Sequence, residues 1–188
     1  QLSELPQTTR NHSATVGHRA TRHHNSPQVL SEVRHHEVHR LRHATRHRLI
    51  LDIAAEHGVI VAFEPEVSNI ADSAPKSRRL LDEIGSENLQ VVMDGANIFH
   101  EGELPRMTEI LEEAFDLLGD SVALSHAKDL DRDGEAGHLA AGTGLLDYDL
   151  YLSLLRGLPD EVPLILHGLE EEQVSESVAF VRTKRGVG

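Results

Sequence analysis

Four short apolar runs in the chain each end on a side chain able to hold a metal ion: VIVAFEP contains Glu64, LQVVMD reaches Asp94, SVALSH reaches His126 and VPLILH reaches His167. The runs are mostly continuous rather than alternating, as expected of parallel strands covered on both faces. A parallel sheet wound with helices brings the carboxyl ends of neighbouring strands to one mouth, where such folds place their ligands and chemistry. Two acids and two imidazoles, distant along the chain, are therefore expected to share one site.

The pattern predicts strands near 59–64, 89–94, 121–126 and 162–167, with helices near 76–84, 105–118, 147–156 and 170–183 between and after them. Pro75 and Pro105 suit helix starts, Gly85, Gly119 and Gly157 suit helix ends, and Asp147 can cap the helix that follows it. Leu49 to His57 reads as the tail of an amphipathic helix closed by Gly58. The chain thus divides into residues 1–48, a His/Arg-rich irregular segment, and residues 49–188, a run of βα units.

Residues 1–48 hold nine of the fourteen histidines, no Lys and no aromatic residue, and their eight Arg against three Glu give +5. So little apolar material does not offset the entropy of ordering. A helix there would present His35, His39, His43 and His47 as an imidazole stripe able to take nickel, zinc or copper. A solvated, biased segment is the plainer reading. Translation in a wrong reading frame upstream of about Leu49 is the reading we favour, and translating the encoding DNA in all three frames tests it.

The remainder carries −18 of a net −13. An acidic body speaks against nucleic acid or an anionic membrane as partner, because phosphate binding needs clustered Lys and Arg. With no cysteine there is no disulfide frame, thiolate zinc site or cysteine nucleophile, which suits a cytoplasmic location. No apolar stretch approaches the roughly 20 residues that span a bilayer.

Pro65 blocks further ladder bonding and so fixes the strand end just past Glu64. Glu66 and Asn69 follow in that loop, either solvated or in contact with substrate. Asp94 leads into Gly95-Ala96-Asn97, a small-residue turn that lets the backbone approach a ligand. His126 is followed by Lys128 and Asp129: the cation can neutralise a developing oxyanion, and the carboxylate can hold the imidazole tautomer or touch substrate. His167 matches the other three in place, while Glu170 to Glu172 read as helix-start acids. The Gly142-Thr143-Gly144 stretch reads first as a turn. Oxygen and nitrogen donors of this kind suit a divalent ion such as Mn, Zn, Mg or Co without choosing among them. Such an ion polarises a carbonyl and its neighbouring hydroxyl while a carboxylate moves the proton, which fits isomerisation or epimerisation of a sugar.

From about Leu49 to Arg182 these residues resemble the sugar phosphate isomerase/epimerase family, the xylose-isomerase-like barrels. The resemblance rests on AFEPE with Asn69, VVMDGAN, LSHAKD, the Ala141–Tyr148 loop and LILHGLEE, in the family's order. It implies an α/β fold: part of a (β/α)8 TIM barrel, roughly the last four βα units, a closed barrel needing about 250 residues. It also implies metal ligands at Glu64, Asp94 and His126 and a sugar or sugar phosphate as substrate, for which Glu66, Asn69, Asn97 and Asp129 are our expected contacts. At the fourth ligand place the family usually has Glu, and this chain has His167, which alters the charge and pKa on which a two-base mechanism depends. Glu64 and Lys128 are the expected catalytic pair. Open sheet edges imply self-association. The alternatives are a non-catalytic metal-binding or interaction fragment and an apurinic endonuclease of the same barrel class; the acidic body speaks against the latter.

Overall fold

A computed structural model describes residues 48–186. The expectations for residues 1–47, including the imidazole stripe, lie outside the described residues. Helix α1 runs over 48–57 and Gly58 ends it in the left-handed conformation. There follow β1 (Val61–Phe63), α2 (Ala74–Ile84), β2 (Leu89–Asp94), α3 (Met107–Leu118), β3 (Val122–Asp129), β4 (Leu139–Ala140), α4 (Tyr148–Arg156), β5 (Leu164–Leu166) and α5 (Val174–Arg185).

Strands β1, β2, β3 and β5 are parallel neighbours in that order, and β4 pairs antiparallel with the end of β3. The sheet is therefore an open, mixed one of five strands. The two-residue β4 was not foreseen. It pairs Lys128 with Ala140 and Asp129 with Leu139, which carries β3 three residues past His126 instead of ending it there. Pro105 and Glu171–Gln173 lie in short 3-10 turns that lead into α3 and α5, so both helices begin later than the periodicity predicts.

Helix ends follow the local chemistry. Pro75 sits in the first turn of α2, Gly85 closes that helix in the left-handed region, and Asp147 accepts from Leu150 N at the start of α4. One apolar core lies between sheet and helices. Val91 and Met93 from β2 meet Leu111, Ala114, Phe115 and Leu118 of α3 and Tyr151 and Leu152 of α4. Because side chains alternate along a strand, burying Val91 and Met93 against the helices turns Val92 and Asp94 to the opposite face. The same pleat puts Leu164 and Leu166 of β5 into the core and leaves Ile165 46% exposed, so the face away from the helices is half a barrel lumen, open to solvent.

Candidate metal centre

Parallel register brings the strand ends level: Asp94 pairs with His126, and Ala127 with Leu166, immediately before His167. Glu64 lies one residue past β1, where buried Pro65 stops the ladder. The four side chains converge at the lumen mouth. The Nδ1 atom of His126 is 3.2 Å from Glu64 Oε1 and 3.6 Å from Asp94 Oδ2. The rings of His126 and His167 stack with centroids 4.3 Å apart and planes 16° off parallel. One ligand atom each from Asp94, His126 and His167 lie within 4.8 Å of one another.

The carboxylates differ in what holds them. Asp94 is 1% exposed; its Oδ1 accepts from Ala96 N at 2.9 Å, while its buried Oδ2 has no hydrogen-bond donor. Lys128 Nζ lies 3.4 Å from that oxygen, a charge neighbour rather than a formed hydrogen bond. Glu64 Oε1 accepts from Asn97 Nδ2 at 2.8 Å, and Asn97 Oδ1 accepts from Gly137 N at 3.0 Å, so a buried amide fixes the direction of Glu64. The Asp94 carboxylate, then Glu64, raise the His126 pKa above its ordinary value against the opposing effect of burial.

Asp94 Oδ2 is buried without a hydrogen bond, and the Lys128 ammonium 3.4 Å away offsets its charge only in part, so the oxygen keeps lone pairs for a further cation. Two imidazoles beside it supply nitrogen donors of the kind divalent transition ions take. The residues present therefore fit a divalent metal, held by Asp94, His126 and His167 with Glu64 alongside.

The other residues singled out in the sequence have definite places. Lys128 is 6% exposed and its stem lies against Gly168, where an added Cβ would stand 2.8 Å from Lys128 Cδ. Gly168 also has φ +66°, so glycine is required there twice over. Glu66 accepts from Ser68 Oγ, and exposed Asn69 reaches Glu64 O at 3.4 Å, both in the loop after β1. Asp129 has both carboxylate oxygens on backbone N–H groups. Its Oδ1 accepts from Leu130 N and Leu146 N at 2.9 Å, and its Oδ2 accepts from Gly142 N at 3.0 Å. It knots the Gly142–Leu146 turn to β3. Glu170 is a capping acid, paired reciprocally with Gln173.

Two residues that strand-end reasoning missed hold the ends of β2 and β3 from behind. Tyr151, fully buried, shares its single hydroxyl proton between Met93 O at 2.9 Å and His126 O at 3.0 Å, and Tyr148 donates to Lys128 O at 2.9 Å. Burial is the main cause that pushes both phenols well above their ordinary pKa, which keeps them as donors. Gly95 leaves room for the Tyr151 ring, 2.9 Å from where its Cβ would stand. The sequence signal was available: two tyrosines three apart on the helix after Asp147, in a chain with no others.

Comparison with known proteins completes these findings. The profile of the family described as xylose isomerase-like TIM barrel matches residues 13–184, which reaches back across the boundary at 48. Among solved structures, a D-tagatose 3-epimerase-like protein aligns with TM-score 0.62 at 14% identity, over 77% of this chain and 53% of that one. A xylose isomerase domain protein from Planctomyces limnophilus aligns with TM-score 0.60 at 22% identity, over 73% and 50%. The probable 3-DHS dehydratase AsbF of Bacillus anthracis, involved in petrobactin synthesis, aligns with TM-score 0.58 at 16% identity, over 74% and 54%. The chain spans about half the length of the solved structures it matches. No curated protein matches it. No helix among the described residues is long and apolar enough to cross a membrane.

Proposed function

Because the chain belongs to the xylose isomerase-like TIM barrel family, we propose that it carries the metal-dependent half of a site for sugar or sugar-phosphate isomerisation or epimerisation. The observation that supports this most is the donorless, buried Oδ2 of Asp94 facing His126, with His167 stacked beside it. A bound divalent ion supplies polarisation of a carbonyl and its adjacent hydroxyl, which acidifies the C–H bond between them.

The chain's own residues do the rest. Glu64 takes the proton, aimed by Asn97. Lys128 supplies positive charge at the mouth, next to Asp94, where an enolate oxygen develops. Glu66 and Asn69 form the substrate rim, and Asp129 shapes the rim by holding the Gly142–Leu146 turn. The open lumen and the outer edges of β1 and β5, which pair on one side only among the described residues, favour self-association.

A second reading has its own support: spanning about half of each solved relative, the chain can be a metal-binding fragment without turnover. One experiment separates the two. The full chain, loaded with Mn, Zn, Mg or Co, is incubated in D2O with a panel of ketoses and ketose phosphates, and loss of the C–H signal beside the carbonyl is followed by NMR. Exchange abolished by Glu64→Gln supports catalysis; metal uptake without exchange supports the fragment; no Asp94-dependent uptake ends both.

A further inference from the structure

Resting on the metal-centre reading above, we propose that His167 sets the ion preference of this centre, turning it toward zinc and cobalt(II) and away from magnesium and manganese. The donor inventory at the mouth carries the argument. Of the acids that follow His126 and His167 along the chain, Asp129 has both oxygens committed to backbone N–H groups, and Glu170, the first acid after His167, is committed to its capping box. Asp94 has one oxygen bound to Ala96 N and offers the other; Glu64 offers a carboxylate whose Oε1 already accepts from Asn97. Against this meagre oxygen supply stand two imidazoles, stacked 4.3 Å apart.

Hard ions need many oxygen donors and give up their water reluctantly, whereas imidazole favours the later first-row ions. Charge points the same way. Lys128 Nζ, 3.4 Å from Asp94 Oδ2, offsets part of the negative potential on which magnesium and manganese depend most, and a neutral imidazole at residue 167 restores none of it. A carboxylate in that place would supply both the oxygen and the charge. His167 follows directly on β5, and the left-handed turn at Gly168 carries the chain away from the mouth behind it, so exchanging this one side chain changes the donor set without moving a strand.

The test uses the full chain and the metal ions alone. Zinc, cobalt(II), manganese and magnesium affinities are measured by competitive titration, and Asp94→Asn is the reference that subtracts uptake elsewhere, including by the nine histidines of residues 1–48. His167→Glu should lower the zinc-to-manganese affinity ratio about tenfold or more. His167→Gln should weaken zinc and cobalt(II) by a similar factor, leave manganese unchanged, and alter the visible spectrum of the cobalt-loaded chain. Thermal melting of each variant confirms that it folds. Asp94-dependent binding whose ratio ignores both substitutions overturns this inference alone; absence of Asp94-dependent binding of any ion overturns it together with the metal-centre reading.

Discussion

Two aspartates end neighbouring strands, each 1% exposed, and they are held in opposite ways. Asp129 accepts three backbone N–H groups and has no oxygen to spare. Asp94 accepts one, and its second oxygen faces His126 and Lys128 with no donor. The first is a structural knot, the second a candidate metal ligand. Burial and residue type are the same in both; the difference lies in whether backbone donors saturate the carboxylate, since an unsatisfied buried oxygen is retained at a cost that binding can recover.

Breaking Asp94 should do most to binding. Asp94→Asn keeps an oxygen for Ala96 N and removes the charge, and calorimetry with zinc should show affinity falling on the order of 100-fold. Asp129→Asn turns an NH2 group toward a backbone N–H and should cost about 2–3 kcal/mol of stability in urea unfolding, more than Asp94→Asn costs. If Asp94→Asn proves the more destabilising of the two, the contrast is wrong. Tyr151→Phe removes the one hydroxyl proton shared by Met93 O and His126 O and should cost about 1–2 kcal/mol, with a smaller loss of zinc affinity because the ends of β2 and β3 loosen.

The smallest effect sharpens the electrostatics. Asp94 is the leading cause of the raised His126 pKa, so Asp94→Asn should lower that pKa toward the ordinary histidine value in an NMR titration. The sign for stability follows: without metal, the raised pKa stabilises the fold at pH below the unfolded value of about 6.5 and is lost as pH rises through the folded value. Metal competes with the same proton. Apparent zinc affinity should therefore begin to fall on acidification already above about pH 6.5.

Continuous apolar runs made the strand positions legible, and Pro65 made the end of β1 legible as well. The parallel register then placed Glu64, Asp94, His126 and His167 together with no further information. What stayed hidden depends on partners far along the chain. Nothing local in Lys128-Asp129 announces the antiparallel β4, and nothing in Asp129 announces that its acceptors will be filled by Gly142 and Leu146. Asn97 likewise reads as a turn residue until Gly137 and Glu64 are seen on either side of its amide. Side-chain periodicity reports which face a residue occupies; it carries no record of which backbone groups will be waiting there.

The hydroxyl of Tyr151 clasps the carbonyls of Met93 and His126 from the helix side of the sheet. The spacing of the two strand ends that carry candidate metal ligands is thus tied to a phenol on the other side of the sheet. A screen for altered ion chemistry should accordingly recover substitutions along the buried flank of α4, as well as at the mouth.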